Sequence, residues 1–365
     1  MNRKKLWQWH SWLGLIAGLP LLVIAVTGSL LVFHHEINGL LMPSWFISTP
    51  SEAGRLPLDH LHSAIIQALP EHHIVGWLMY ENNHYSDGVY LWANNHSEWL
   101  RVFINPYTAE VLNAPIPLDD YLMEWIINLH YHFLAGHVGM IVTGVLALML
   151  CALGILGFII YRQFWVGFFT LRWRHSARVL TGDLHSRLGV ISSVVFLVLG
   201  ITGAWWNLPH ALKDVYEHGL FDEPEKALTQ PAYDHQLSLD NMLVNAQQVL
   251  PEYQLHYIAF PRQSGRAIDF YGALPSVNFL RSQFGNFVSF NAQSGVLIEA
   301  EDVREAPVGT QIEDTFRRLH FGDFGGLPIK IIWCLLGLAP GLLAVSGAFV
   351  YFKRKPARRR VRQFA

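Results

Sequence analysis

Charge is almost absent from four long stretches of this chain, and that segregation constrains its fold more than any other feature. The stretches run over residues 12–33, 138–161, 188–208 and 327–352. Each reaches the roughly 20 apolar residues needed to cross a bilayer. No Asp, Glu, Lys or Arg lies between His10 and His34. In hydrocarbon every backbone N–H and C=O must find a partner within the protein, so such stretches cross as helices. Of the 365 residues, 52% are hydrophobic and 15% charged. The charged share is well under the roughly 25% of a soluble domain.

Lys and Arg near the span ends set the orientation. They gather in Arg3, Lys4 and Lys5, in Arg162, Arg172, Arg174, Arg178 and Arg187, and in Lys353, Arg354, Lys355, Arg358, Arg359, Arg360 and Arg362. These segments alternate on one side, so both termini are expected in the cytoplasm of a bacterial cell with an inner membrane. The long loops 34–137 and 209–326 hold nearly every Asp and Glu and are expected outside. The first apolar run is too long for a signal-peptide core and lacks a small-x-small cleavage site, so it reads as a retained anchor. The basic tail fits anionic lipid headgroups, and no nucleic acid partner is expected. Cys151 and Cys334 both fall inside spans, which argues against a disulfide, and no C-x-x-C-H is present for covalent haem attachment.

The chain repeats itself. His10-Ser-Trp-Leu-Gly14 and Thr27-Gly28 recur as His185-Ser-Arg-Leu-Gly189 and Thr202-Gly203, both at an offset of 175. Leu129-His130, Gly157 and Tyr161 recur as Leu319-His320, Gly347 and Tyr351 at an offset of 190. Each long loop opens with a helix-like stretch, 58–69 or 239–250, closed by Pro70 or Pro251. Alternating strands follow, and each loop ends in a hairpin-like segment, 102–112 or 288–298. The expected fold is a four-helix transmembrane bundle with two periplasmic α+β modules, built by internal duplication of helix–module–helix. The expected boundaries are a cytoplasmic N-terminus (1–10), spans at 11–33, 130–161, 188–208 and 320–352, modules at 34–129 and 209–319, a cytoplasmic loop at 162–187 and a tail at 353–365.

Nineteen histidines are present. Those in the modules, such as His60, His62, His72, His73, His84, His96 and His235, read as solvated surface, with a fortuitous metal site as the other possibility. Those at span ends are different, because ionisable groups near hydrocarbon normally face the bundle interior with a partner. The repeat pairs His10 with His185 on the cytoplasmic side, and His130 with His320 on the outer side. Two such pairs are what two bis-histidine haems need: a flat apolar disc fits between helices, and its iron takes one neutral imidazole from each face. Second choices are His137, expected on the helix face of His130 and about 10 Å deeper, and the outer pair His35 and His210. Ligands at opposite ends of a 25-residue helix lie up to roughly 37 Å apart.

These motifs, in this order, resemble the PepSY-associated transmembrane family. The resemblance rests on His10-Ser-Trp-Leu-Gly14, Thr27-Gly28, Leu129-His130 with Gly136, Asp183-Leu-His185-Ser-Arg-Leu-Gly189, Thr202-Gly203 and Leu319-His320-Phe-Gly322. Asn105-Pro-Tyr-Thr-Ala-Glu-Val-Leu112 looks like a PepSY strand pair. Within the family the likeness is to inner-membrane ferric-siderophore reductases of the ferrioxamine-reductase kind. That likeness implies two non-covalent b-type haems held by His10, His185, His130 and His320. It also implies a ferric siderophore as the periplasmic partner and a cytoplasmic or quinol electron donor. Two departures stand out: the histidine-rich Phe33-His34-His35-Glu36, and His137, where the pattern has no fixed histidine.

The expected activity is haem-dependent reduction of Fe3+ to Fe2+ in a periplasmic siderophore, without a separate catalytic side chain. The chain lacks G-x-G-x-x-G after a strand, so a flavin or nicotinamide would belong to another protein. Two other readings stay open: a membrane-anchored PepSY binding or regulatory protein without redox activity, and an iron or siderophore permease. H-E-x-x-H and G-x-S-x-G are absent, which leaves a protease unsupported.

Overall fold

A computed structural model of the chain describes residues 2–52, 54–163, 165–219 and 227–353. Arg354, Lys355, Arg358, Arg359, Arg360 and Arg362 of the basic tail lie outside the described residues. In chain order come α1 (Arg3–Leu31), α2 (His34–Leu41), α3 (Pro43–Phe46) and α4 (Leu58–Ala68). Strands β1 (His72–Leu78), β2 (Asp87–Ala93), β3 (Leu100–Ile104) and β4 (Ile116–Pro117) follow. Helices α5 (Leu122–His132), α6 (Gly136–Ile160), α7 (Ala177–His218) and α8 (Leu239–Val249) precede β5 (Gln254–Ala259), β6 (Ala267–Ala273), β7 (Asn286–Asn291) and β8 (Leu297–Glu301). The chain closes with α9 (Val308–Phe321), α10 (Gly326–Gly337) and α11 (Ala339–Phe352). Two compact units result: a helical one (1–32, 128–221, 325–365) and a sheet-bearing one (33–127, 222–324).

Among the described residues, four helical stretches are long and apolar enough to cross a membrane: Arg3–Leu31, Gly136–Ile160, Ala177–Tyr216 and Gly326–Phe352. Leu19 and Val194 on them are 73% and 68% exposed. Apolar side chains standing out on all sides of a helix suit lipid rather than water. Inside the bundle Ala17, Leu21, Leu146, Leu150, Phe196 and Ala339 pack together.

The helices depart from the apolar stretches in three places. The third apolar stretch ends at Leu208, but α7 runs through Pro209 to His218, 42 residues in all. At 1.5 Å per residue that is about 63 Å, twice the hydrocarbon thickness, so both ends carry ordinary polar sequence. The fourth stretch is interrupted between Gly337 and Ala339. Pro340, in the first turn of α11, has no N–H to bond back to the preceding turn.

The third departure bears on the histidines. Phe133, Leu134 and Gly136 take positive φ of 51°, 58° and 51°, which separates α5 from α6. His130 and His137 therefore sit on different helices, and the expected common face does not exist. Left-handed backbone at Phe133 and Leu134 costs roughly 1–2 kcal/mol each. Contacts around the break hold it in place. Tyr131 O accepts from Thr143 Oγ1 at 2.7 Å and from Asn207 Nδ2 at 3.0 Å. A Cβ at Gly139 would lie 1.6 Å from His132 O, so only glycine permits this approach.

In the sheet-bearing unit the strands form one antiparallel sheet of order β4-β3-β2-β1-β5-β6-β7-β8. The two expected strand-bearing modules are present, β1–β4 and β5–β8, and their strands join in this one sheet. β1 pairs with β5 through Gly76↔Ala259, Trp77↔Ile258 and Leu78↔Tyr257. Each four-stranded half alone would expose the edges of β1 and β5, and pairing them removes both liabilities. A Cβ at Gly76 would lie 2.3 Å from the Tyr257 hydroxyl, so the glycine makes room for that ring at the junction.

Helices α4 and α8 of this unit cap one another. Asp240 accepts from the backbone N–H of Leu58 at 2.9 Å and of Asp59 at 3.0 Å. Asp59 in turn accepts from Leu239 N at 2.6 Å, Asp240 N at 3.3 Å and Ser238 Oγ at 2.6 Å. Each carboxylate thus satisfies the unpaired N–H groups at the start of the other helix and meets the positive end of its dipole. We predict that Asp59→Ala and Asp240→Ala each lower stability by about 1–2 kcal/mol. The double variant should lose less than the summed effects, because the two residues share one network. Thermal unfolding of the solubilised protein checks this, and unchanged midpoints in both single variants would contradict the mutual cap.

The expectation of solvated module histidines fails at His62, His73 and His256, which are 3%, 5% and 7% exposed. His62 shares the buried face of α4 with Leu58, Leu61 and Ile65. Its Nε2 lies 2.8 Å from the Tyr233 hydroxyl, and its ring lies 5.9 Å from that of His235 at 90°. Burial, with the nearby His235 adding to it, pushes the His62 pKa down to about 4. The folded form thus holds His62 neutral, while an unfolded chain protonates it near pH 6.5. Stability from this residue is complete above about pH 6.5 and is lost as pH falls toward 4, by up to about 3 kcal/mol. Denaturant titrations at pH 7 and pH 4.5 should show that loss in the wild type and a smaller one in His62→Phe. Equal losses in the two would refute the assignment.

Candidate functional site

His10 on α1 and His185 on α7 meet inside the helical unit. Their ring centroids are 6.3 Å apart and their planes stand at 89°. Each ring faces a glycine on a further helix. A Cβ on Gly157 of α6 would lie 3.5 Å from His10 Cε1, and one on Gly347 of α11 would lie 3.1 Å from His185 Cε1. The rings occupy the space those missing side chains leave. His185 Nδ1 lies 2.9 Å from Ser346 Oγ. His10 Nδ1 is buried and has no hydrogen-bond partner among the described residues.

His130 is held the same way from α5. A Cβ on Gly28 would lie 2.7 Å from its Cε1, so any larger residue there displaces the ring. Its Nδ1 lies 3.1 Å from Ile24 O and 3.1 Å from Thr27 Oγ1. Thr27 Oγ1 donates to Val23 O at 2.8 Å. Both neighbours of Nδ1 are therefore acceptors, so Nδ1 carries the hydrogen and Nε2 keeps its lone pair. That tautomer presents Nε2 to a metal. His130 stands beside Thr27, 17 positions beyond His10 on α1. The rise between them is about 26 Å, shorter than the roughly 37 Å reached along a full span.

The remaining candidates are dispersed. His320 lies in the last turn of α9, in the sheet-bearing unit, whereas His130 belongs to the helical unit. His137 opens α6, with Nδ1 3.8 Å from a carboxylate oxygen of Asp214. His210 is exposed on α7, its Nδ1 2.6 Å from Trp206 O. His35 lies among aromatic rings, with centroids 6.3 Å from Phe46, 5.2 Å from Tyr80 and 6.1 Å from Tyr85. Neighbouring His34 has Nε2 3.7 Å from Glu124. Among the described residues no group of three or more His, Cys, Asp or Glu is arranged to hold a metal ion.

Pattern alone missed two sets of residues at these sites. Ser346 looks like an ordinary small residue in an apolar span, and Thr27 was visible only as part of a repeated Thr-Gly pair; the fold brings both hydroxyls to the imidazoles. Gly157 and Gly347 were visible as a repeated pair, but not as the residues facing His10 and His185.

The arrangement is that of a helical membrane unit with paired inward histidines, joined in sequence to strand-bearing loops. Comparison with curated proteins gives no match. Residues 7–354 match the PepSY-associated TM region, nearly the whole of the 365-residue chain. With its four apolar helices and sheet-bearing loops, the chain is a multi-pass membrane protein that belongs to the PepSY-associated TM region family.

Proposed function

We propose that this chain is a di-haem electron conduit of the bacterial inner membrane, an oxidoreductase that reduces ferric siderophore outside and so releases iron. The observation that carries this reading is the His10–His185 pair. Two imidazoles sharing one metal would stand about 6.2 Å apart between ring centres, from about 2.0 Å per metal–nitrogen bond and about 1.1 Å from nitrogen to ring centre. The measured separation is 6.3 Å. The glycines facing the two rings and the buried, unpartnered Nδ1 of His10 also fit an apolar disc held between helices.

His10 and His185 would hold one b-type haem, and His130 would offer its Nε2 to a second. Bound there, the group would supply one-electron transfer. His130 contributes through the tautomer that Ile24 and Thr27 fix. Ala17, Leu21, Leu146, Leu150 and Phe196 keep water out of the bundle between the two levels. The donor is a cytoplasmic reductant or a quinol, and the acceptor is Fe3+ in an outside siderophore. One electron converts it to Fe2+, which the hard oxygen donors of a siderophore hold more weakly.

Both termini are cytoplasmic in this reading and the long loops periplasmic, following the Lys and Arg bias. We also attribute the two halves to internal duplication. The offsets of 175 and 190, the matching strand order on either side of the β1–β5 junction and the reciprocal Asp59 and Asp240 caps support it.

The test is a vectorial one. In vesicles with an impermeant reductant inside, at the basic-loop face, and an impermeant ferric hydroxamate outside, a ferrous-specific chromogenic chelator should report Fe2+. His10→Ala and His185→Ala should abolish the signal. Rates equal to wild type in both variants would refute the conduit.

A further inference from the structure

The two imidazoles of the inner pair are not equivalent. Ser346 stands immediately before Gly347, the glycine that faces His185, and its Oγ reaches His185 Nδ1 at 2.9 Å. Leu156 stands immediately before Gly157, the glycine that faces His10, and offers no hydrogen-bonding atom. His10 Nδ1 is correspondingly buried without a partner among the described residues.

Ser346 has one hydroxyl hydrogen. It is directed to Leu342 O at 2.7 Å, with Leu343 O a longer 3.3 Å away. A helical serine bonding back to the preceding turn is the usual arrangement. The oxygen facing His185 is therefore an acceptor; His185 Nδ1 donates to it and also meets the Leu343 carbonyl, a second acceptor. This fixes the ring in the Nδ1–H tautomer, leaves the Nε2 lone pair free for a metal and makes Nε2 more basic.

We infer that Ser346 is a positioning residue that makes His185 the stronger-donating of two unequal axial ligands and thereby sets the reduction potential of the inner haem. This rests on the haem reading above. A more basic ligand stabilises ferric over ferrous iron, so the serine holds the potential down. Removing a partner of this kind changes metal-site equilibria by 10- to 100-fold.

The test uses the full-length, haem-loaded protein and its haem-free form. In a redox titration, Ser346→Ala should move the ferric–ferrous equilibrium about tenfold toward ferrous, a rise of about 59 mV for a one-electron couple. Ser346→Thr should restore the wild-type value, because its hydroxyl can make the same bond to the preceding turn. Leu156→Ser should shift the potential the opposite way by giving His10 Nδ1 an acceptor. In the haem-free chain, the nitrogen-15 shifts of His185 should report the Nδ1–H tautomer in wild type and a displaced Nδ1 signal in Ser346→Ala, where only the Leu343 carbonyl is left to accept. Loaded Ser346→Ala with unchanged potential and unchanged His185 shifts overturns the inference while leaving the conduit intact. A wild-type chain that takes up no haem defeats the conduit instead, and the His185 shifts then decide the role of Ser346 alone.

Discussion

An imidazole standing inside a bundle of apolar helices needs a neighbouring helix to give up its side chain, and it is steadied where something nearby takes the ring's polar edge. Both conditions shape the helical unit. Gly157, Gly347 and Gly28 leave the space for His10, His185 and His130. Ser346, and Ile24 with Thr27, take the Nδ1 edges of two of these rings. Around them the bundle is closed by plain aliphatic packing. The polar atoms in the interior are therefore few and individually placed, as expected where each unsatisfied group costs several kcal/mol.

The sheet-bearing unit answers a different constraint. Two four-stranded pieces inserted at separate points of the chain each bring an open strand edge, and joining β1 to β5 closes both. The exchanged caps of Asp59 and Asp240 act on the same scale, since each helix start takes a carboxylate from the other segment, with Ser238 adding a local cap at α8. Stability in this unit thus depends on two distant parts of the sequence meeting, which couples the loops to one another in folding.

Much of this was legible in the chain, and the gaps have physical causes. The four spans were plain because lipid demands long uncharged runs, and His10 with His185 could be paired because the motif around them recurs. The buried face of His62 was also readable, since it falls in the same helical stripe as Leu58, Leu61 and Ile65. The break at Phe133 and Leu134 was not, because two bulky residues in left-handed backbone contradict local preference and are held by Thr143, Asn207 and the tight approach at Gly139. The far end of α7 was hidden because Pro209 and polar residues look like an ending, whereas the helix continues through them. The β1–β5 junction was invisible because an edge strand's partner is not written in its own sequence.

The central claim is that the inward histidines hold haem, and it is open to one direct measurement. An absorption spectrum of the purified chain, oxidised and reduced, should show low-spin b-type haem, with pyridine haemochrome analysis giving two haems per polypeptide. A purified, folded protein without a haem chromophore would contradict the account.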